Sequence, residues 1–452
     1  MPSLGLAMIV RNGAKALPPC LASVAGLAAR VVIADTGSSD GTAEVARQLG
    51  AEVFDFPWRD DFSLARNAAI EKLATDWVLV LDDDEELDRA ARGKLASLLD
   101  NPRVGGYRLV QRNYLPVRFG KGGHASTVMP LHTPVPRAER ARAYNDIQVC
   151  RLFRRHPGIA YTGKVHEFVE SSIRDLGLEI IGEDLIIHHF GHLSSPAALR
   201  SKDDLYRKLG RLKVQDTPAD PQAWIELGLQ EYEQFQNYSA GIECFKTALA
   251  LGPRYSFIPY LSLASLYIEI QADAEALKLL SNVTLRDRAA GESAYLCGVA
   301  LYNLGRLKES RTAYLRALKI LPGDARIISK LGLTEVRLGL KKSGLTRLAA
   351  GLKADPEDLE MHQRMIQGFV LAEMPSRAAE AAEHLAWHLP SPATILRAAS
   401  LRVVTNDWQA VEIILDQGLK LFPGDRQLLQ ARTEAKERMH YIAAHQPLRC
   451  SP

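Results

Sequence analysis

The sequence predicts an N-terminal α/β domain with a mostly parallel sheet, followed by an all-α repeat array. Two patterns point to this fold class. Short apolar runs alternate with helical periodicity over the first 110 residues, and prolines recur every 34 residues in the second half. The first pattern is typical of βαβ units, and the second is typical of stacked helix-turn-helix repeats.

Five apolar runs in the first part of the chain have the length and composition of β-strands. They are Gly5–Val10, Arg30–Ala34, Glu52–Phe56, Trp77–Leu81 and Gly106–Gln111. Helical patterns separate the earlier runs, so we expect parallel neighbours joined by crossover helices.

Polar residues follow the carboxyl ends of these runs, where open α/β sheets bind their ligands. Asp82, Asp83 and Asp84 follow the fourth run, and such carboxylates suit Mg²⁺ or Mn²⁺ on a diphosphate. A solvated acidic helix N-terminus explains the cluster equally well. Asp35 follows the second run before a glycine turn, where it can accept hydrogen bonds from a base. A capped turn without a ligand, built on Asp40, is the alternative.

Residues 113–145 form the longest stretch without periodicity in the first half. A loop of this length inside a compact domain is uncommon unless it is functional or mobile. Its basic residues and interleaved tyrosines predict a lid or a ligand contact, and a solvated loop is the alternative. The candidates in and beside it are Arg112, Tyr114, Arg118, Lys121, His124, His132, Arg137, Arg140, Arg142 and Tyr144.

Strand-like runs return at Ile147–Phe153 and Leu185–His189, and Arg200–Val214 predicts a linking helix. We therefore predict an α/β domain over residues 1–198, a linking helix over 199–219 and a repeat array over 220–445.

Four prolines mark the period of the repeats: Pro322, Pro356 and Pro390 lie 34 residues apart, and Pro423 follows after 33. With each proline at repeat position 32, small residues recur at positions 8, 20 and 27, where two helices must touch. They are Gly298, Gly332, Ser310, Gly344, Ala378, Ala317 and Gly351. An ordinary helical bundle does not explain this register. The pattern resembles the tetratricopeptide repeat, with about six units and a closing helix.

A set of motifs lies in a fixed order along the first half of the chain. They are Met8–Asn12, Val32–Thr42, Phe54–Trp58, Asp61–Asn67, Leu81–Glu85, Arg151–Arg154 and Gly163–Glu167. This ordered set resembles family 2 glycosyltransferases, and more narrowly the branch that contains lipopolysaccharide-core glucosyltransferases and bacteriocin S-glycosyltransferases. The resemblance implies a GT-A fold with a Rossmann-like mixed sheet, a nucleotide-diphosphate sugar donor, and Mg²⁺ or Mn²⁺.

The resemblance also implies residue roles by position in this sequence. Asp35 would hold the base, and Arg66 would lie near the nucleotide. Asp82 would lie on the ribose or sugar side and, with Asp84, at the metal that bridges the diphosphate. Asp83 is grouped with the residues that bind the nucleotide sugar.

Two positions depart from the pattern of the family. Gly13 stands where Glu often follows the first-strand Asn, which weakens any role at that position. Asp83 stands where a small residue is usual between the two aspartates. Its carboxylate is therefore free to face away from the metal.

Two histidine-containing segments supply the remaining candidates. Inverting transfer needs a carboxylate or an imidazole to take the proton of the acceptor. Glu167, ahead of His166, is our candidate base, and an ion pair of Glu167 with an arginine is the alternative. His188, at the end of the last strand, is a candidate metal ligand, although a strand-end histidine is more often structural.

Composition sets the broad class of the protein. The 452 residues, 47% of them hydrophobic, suffice for about two or three domains. The net charge of +3 gives no reason to expect a nucleic-acid partner. Without a run of ~20 apolar residues, no transmembrane helix is expected. Widely spaced cysteines argue against a zinc ribbon or disulfide framework and favour a cytoplasmic location. They are Cys20, Cys150, Cys244, Cys297 and Cys450.

The predicted function is an inverting transfer of a hexose or N-acetylhexosamine from a UDP-sugar or similar donor. Two acceptor classes stay open: a protein or peptide held in the groove of the repeats, and a lipopolysaccharide or polysaccharide precursor. The repeats also leave open a protein partner or a homodimer. The alternative from another class is a catalytically inactive scaffold that recruits partners. A nucleotidyltransferase is a third, but no glycine- and lysine-rich phosphate loop follows the first strand.

Overall fold

The structure is a computed structural model that describes residues 2–116, 127–128, 135–141, 143–252 and 257–445. Contacts divide the chain into two compact units, residues 1–253 and 254–452. Each unit is described by itself. Within the described ranges, no helix is both long enough and apolar enough to cross a membrane.

A mixed β-sheet organises the first unit. Its strands in the described ranges are β1 (Leu4–Val10), β2 (Arg30–Asp35), β3 (Glu52–Asp55), β4 (Trp77–Val80), β5 (Glu85–Leu87), β6 (Val104–Leu115), β7 (Thr127–Val128), β8 (Ala143–Arg154) and β9 (Glu179–His189). The order is β3-β2-β1-β4-β8-β6-β9-β5, with β7 paired to β8. Strands β1 to β4 run parallel, whereas β8 is antiparallel to both β4 and β6. The sheet is mixed, as the resemblance implies, and β1 to β4 are parallel, as predicted. Among the described strands four pairings are parallel and four are antiparallel, so the sheet as a whole is not mostly parallel.

Helices cover both faces of the parallel strands. Those of the first unit are α1 (Leu17–Ser23), α2 (Thr42–Gln48), α3 (Phe62–Glu71), α4 (Arg89–Leu98), α5 (Glu170–Asp175), α6 (Pro196–Asp216), α7 (Pro221–Glu233) and α8 (Tyr238–Ala250). Leu6 and Met8 of β1 pack in one apolar cluster with α1 and α4, whereas Ala7 and Ile9 pack in a second cluster with α3. Burial on both faces explains the continuous apolar runs and leaves the strand ends as the edge for polar residues.

The predicted loop over 113–145 is wrong at both ends. Strand β6 continues to Leu115 and β8 begins at Ala143, because the pairing of the two strands extends to these two residues. Arg112 and Tyr114 therefore lie on β6, and Tyr144 lies on β8. The other candidates at Arg118, Lys121, His124, His132 and Arg142 lie outside the described residues.

A helix, α6, covers the residues of the predicted linking helix and is longer than the pattern indicated. The Ser195 side chain caps its N-terminus by accepting a hydrogen bond from the amide of Ala198 at 3.3 Å, and Pro196 occupies the first turn. The first compact unit extends through α7 and α8. The limits at residues 198 and 219 therefore remain a sequence-based prediction.

Helix pairs with a regular period follow in the second half. The helices of the second unit are α9 (Ile258–Glu269), α10 (Asp273–Ser281), α11 (Asp287–Asn303), α12 (Leu307–Ile320), α13 (Ala325–Arg337), α14 (Lys341–Ala354), α15 (Leu359–Leu371), α16 (Pro375–His388), α17 (Pro392–Val404), α18 (Trp408–Leu421) and α19 (Arg426–His445). Pro322, Pro356, Pro390 and Pro423 each lie just beyond the second helix of a pair. This confirms the predicted helix-turn-helix repeats and closing helix.

Small residues let the two helices of a repeat come close, as the register predicted. A Cβ atom placed on Gly344 would lie 2.6 Å from the carbonyl oxygen of Gly332 and 2.8 Å from the amide nitrogen of Val336. Both neighbours are backbone atoms of α13, so neither can turn away. The contact of α13 with α14 therefore depends on glycine at position 344.

We expect Gly344→Ala to lower the unfolding free energy of the repeats by roughly 1–3 kcal/mol, because the added methyl group overpacks two backbones. Thermal denaturation followed by circular dichroism measures the change. Gly424→Ala is the matched control, since a Cβ atom there meets nothing within 4 Å. Equal melting temperatures for the two variants would contradict the close approach.

Candidate active site

The carboxyl ends of the parallel strands meet at one edge of the sheet. Val10 lies beside Asp35 in the pairing of β1 with β2, and Ala7 lies beside Val80 in the pairing of β1 with β4. Asp35 and the residues after β4 therefore converge, as the strand pattern predicted.

Asp35 closes the turn that follows β2. It is 5% exposed, and its Oδ1 atom accepts hydrogen bonds from the amides of Gly37 at 3.0 Å and Ser38 at 2.8 Å. Oδ2 makes no hydrogen bond to any residue of the described part. One oxygen thus holds the turn, and the other is left for a ligand.

Asp82 is shared by two buried arginines. Its Oδ1 atom accepts a hydrogen bond from Nη2 of Arg66 at 2.8 Å, and its Oδ2 atom accepts one from Nη2 of Arg151 at 2.9 Å. Burial alone would raise the pKa of Asp82, but the two guanidinium groups hold it far below its usual value. Since both oxygens are engaged, Asp82 positions its neighbours and is poorly placed to bind a metal.

Arg66 also reaches the segment that carries the candidate base. Its Nε atom donates a hydrogen bond to Oε1 of Glu167 at 2.5 Å, so the alternative of an arginine pair is what the structure contains. The guanidinium lies 5.7 Å from the centre of the Tyr161 ring. Its Nη1 atom is buried without a hydrogen-bond partner among the described residues, which leaves a donor for a bound ligand.

Glu85 is a fully buried carboxylate that the sequence-based site did not include. Arg151 donates to its Oε1 atom at 2.8 Å, Gln111 donates to the same oxygen, and the amide of Asp82 donates to Oε2 at 2.9 Å. Burial raises the pKa of Glu85 although Arg151 opposes the shift. Glu85 therefore anchors Arg151 and the backbone of Asp82 beneath the site.

Asp83 and Gly13, the two departures from the family pattern, touch one another. A Cβ atom at Gly13 would overlap the carboxylate of Asp83, whose Cγ atom would lie 3.1 Å away. The side chain of Asp83 thus occupies the space that a larger residue at position 13 would need. Burial and the charges of Asp84 and Asp82 raise the pKa of Asp83 to about 7.

Asp84 pairs with His189 at the end of β9. The distance from its Oδ1 atom to Nε2 of His189 is 3.5 Å, and Nδ1 of His189 lies 2.6 Å from Oδ1 of Asn113. Burial would raise the pKa of Asp84, but the hydrogen bond and charge of His189 lower it overall. A Cβ atom at Gly191 would lie 2.5 Å from Oδ2 of Asp84 and 2.7 Å from Nε2 of His189. Asp84 and His189 therefore pack directly against the backbone of Gly191, and a larger residue at this position would displace both side chains.

His188, the predicted metal ligand, points to other partners. Its Nδ1 atom lies 2.9 Å from the hydroxyl of Tyr114, and its Nε2 atom lies 3.1 Å from Oδ2 of Asp88. Both ring nitrogens are engaged within the protein. The geometry therefore favours His189 over His188 as a metal ligand.

His166 lies beside the linking helix. It is exposed, has a φ of +52°, and contacts the ring of Tyr206 edge-on at 5.8 Å between ring centres. Its neighbour Glu167 turns inward to Arg66. The two candidate bases thus face different surroundings.

Two of the basic candidates in and beside the predicted loop form ion pairs with acidic residues of the sheet. Arg112 pairs with Asp146 through two hydrogen bonds of 2.8 Å, and Arg137 donates to Oε1 of Glu86 at 2.6 Å. Arg137 also lies over the ring of Phe190. These contacts give both residues a structural role.

Comparison with known proteins identifies the family of this part of the chain. The model of the family "Glycosyl transferase family 2" matches residues 6–157, which contain Asp35, Arg66 and all three aspartates after β4. This part of the chain is a family 2 glycosyltransferase domain. The helix pairs after it, with their 34-residue period, are tetratricopeptide repeats.

The names of curated relatives carry one or the other of these two features. A TPR repeat-containing protein of Synechococcus elongatus is 32% identical over 234 residues, covering 50% of this chain and 52% of the relative. The glycosyltransferase SunS of Bacillus subtilis is 25% identical over 232 residues, or 50% and 48%. The lipopolysaccharide core biosynthesis glycosyltransferase LpsC of Rhizobium meliloti is 32% identical over 123 residues, or 25% and 45%. The chain spans about half the length of the curated relatives it matches.

Solved structures give weaker matches. A tetratricopeptide repeat protein from Parabacteroides merdae aligns with a TM-score of 0.41 and 12% identity, over 52% of this chain and 93% of its own.

We expect Arg151→Met to lower the unfolding free energy by about 3–5 kcal/mol, because it leaves Glu85 buried without its cation. Since protonation of Glu85 relieves this cost, the deficit should be largest at mildly alkaline pH and shrink at mildly acidic pH. Denaturation by urea at the two pH values measures it. Arg30→Met, which breaks the exposed pair with Glu52, is the control and should change little. A deficit that does not depend on pH would contradict the role of Glu85.

Proposed function

We propose that this chain transfers a glycosyl group from a nucleotide-diphosphate sugar to an acceptor. The observation that carries the proposal is the pairing of Asp84 with His189 at the sheet edge that also holds Asp35. The family 2 domain over residues 6–157 supports the same reaction class.

The donor is a UDP-sugar carrying a hexose or N-acetylhexosamine in this proposal. Asp35 would hold the base through its second oxygen, while Nη1 of the buried Arg66 supplies a donor for the nucleotide. Asp82 would act through the two arginines that it orients, and Asp83 would line the pocket next to Gly13.

A divalent cation, Mg²⁺ or Mn²⁺, fits the donor set. Asp84 offers carboxylate oxygen and His189 offers imidazole nitrogen, and these cations commonly combine one or two protein ligands with substrate phosphates. Across the described part of the chain, no three His, Cys, Asp or Glu side chains form a closed metal cage. When bound, the cation would neutralise charge on the diphosphate.

Glu167 is the proposed base of an inverting reaction. The acceptor oxygen or sulfur forms a bond to the anomeric carbon as the bond from that carbon to the diphosphate oxygen breaks. The electron pair leaves on the diphosphate, and the acceptor proton passes to Glu167. Arg66 fixes the orientation of this carboxylate through Oε1. His166, next in the chain and exposed, is the second candidate.

Two acceptor classes remain in the proposal. The repeats offer an extended surface for a protein or peptide, whereas the name of LpsC favours a lipopolysaccharide precursor. A cytoplasmic location agrees with either.

We expect the wild type to release UDP from a UDP-sugar with Mn²⁺ present, and a chelator or Asp84→Ala to abolish the release. His189→Gln should weaken activation by Mn²⁺ strongly, whereas His188→Gln should keep it, because both nitrogens of His188 are engaged elsewhere. A coupled UDP assay over a panel of sugars and a Mn²⁺ titration measure both effects.

The same panel tests the inactive scaffold. If no nucleotide sugar is turned over and none raises the melting temperature with Mn²⁺, the chain is an adaptor. If His188→Gln and not His189→Gln loses activation, the original ligand prediction stands.

We expect Glu167→Gln to lower kcat by about 100-fold or more, the usual contribution of a general base. Glutamine keeps an oxygen for the hydrogen bond from Arg66, so the melting temperature should change little. His166→Gln is the matched control and should stay near the wild-type kcat. The reverse pattern would move the base to His166.

A further inference from the structure

Helix α6 makes hydrogen bonds to two segments near the candidate active site, one before α3 and one before Glu167. Nζ of Lys208 lies 2.6 Å from Oδ2 of Asp60, just before α3. Nζ of Lys213 donates to the carbonyl oxygen of Val165 at 3.2 Å, beside the segment of His166 and Glu167. The linking helix is therefore part of the first unit and runs along its site.

Lys202 and Tyr206 occupy one face of α6, four residues apart. Nζ of Lys202 lies 5.6 Å from the centre of the Tyr206 ring. The same ring contacts Phe62 and His166 edge-on, with ring centres 5.6 and 5.8 Å away. The Tyr206 ring thus lies between the rings of Phe62 and His166 and the ammonium group of Lys202.

Within the described residues, Lys202 makes no ion pair with the carboxylates after β4, although their charges act on it. Crowded surroundings act to lower its pKa, but Tyr206, Asp84 and Asp82 outweigh them and raise it. Its side chain is exposed and makes no ion pair with a residue in the described part of the chain. An exposed ammonium group therefore lies beside the Tyr206 ring, where the charge of Asp84 acts on it.

We propose that Lys202 binds the diphosphate of the donor opposite Asp84, with Tyr206 as the adjoining wall of the donor cleft. This inference rests on the proposed function. As the bond between the anomeric carbon and the diphosphate breaks, negative charge grows on the phosphate oxygens. A fixed ammonium group stabilises that charge more than it stabilises the bound donor. Lys202 is thus a donor-binding residue contributed by the helix that leads into the repeats.

The test compares the binding of UDP and of uridine to the full chain by calorimetry with Mn²⁺ present. We expect Lys202→Met to weaken UDP binding by about tenfold or more, the usual worth of a charge-assisted contact. Uridine, which lacks phosphates, should bind the variant as it binds the wild type. Lys202→Arg keeps the charge and should restore most of the loss.

Arg200→Met is the matched control, because it removes the same charge from an exposed position of the same helix. An equal loss in both variants would reduce the effect to long-range charge and overturn the proposal. Unchanged UDP binding by Lys202→Met would also overturn it while leaving the transferase proposal intact. If the wild type binds neither UDP nor a UDP-sugar, the proposed function itself fails.

Discussion

The arrangement of the whole site depends on one carboxylate, that of Asp82, held between two buried guanidinium groups. Arg66 brings α3 to the end of β4, and Arg151 brings β8 to the same point. Arg66 also binds Glu167, and Arg151 also binds Glu85, so the network contains three carboxylates. Each of these charges would cost several kcal/mol if it were buried alone. Together they fix the backbone turn after β4 in a rigid position.

The next two residues receive less compensation, because neither of them pairs with an arginine in the described part of the chain and Asp84 pairs only with His189. Asp83 and Asp84 share the edge with one histidine and with an ammonium group that stands off in solvent. Excess negative charge at this edge is what a divalent cation and the positive side of a phosphate site would balance. In the core of the site two guanidinium groups thus offset most of the charge of three carboxylates, whereas its surface leaves room for charge brought by ligands.

Local patterns predicted most of the fold, because alternation and the 34-residue period are properties of neighbouring residues. Local patterns do not predict contacts between residues that are far apart in the sequence. An example is the hydrogen bond from Arg151 to Asp82, which lies 69 positions earlier. The register of β5 against β9 places His189 opposite Glu85, and this pairing is invisible in the sequence. A signal did exist, since His189 has the same parity as the buried Leu185 and Ile187. Helix α6 looked like a plain connector because its site-facing residues are polar.

Helix α6 also carries the first repeat. Arg207 and Arg211 both pair with Glu231 of α7, and Lys213 pairs with Glu226. Helix α6 therefore contacts both the sheet domain and the first helix of the repeats. A chimaera that replaces the repeats of this chain with those of another protein should therefore place its junction after Gly252, close to the end of the first compact unit. A cut at residue 198 would carry Lys202 and Tyr206 away with the array.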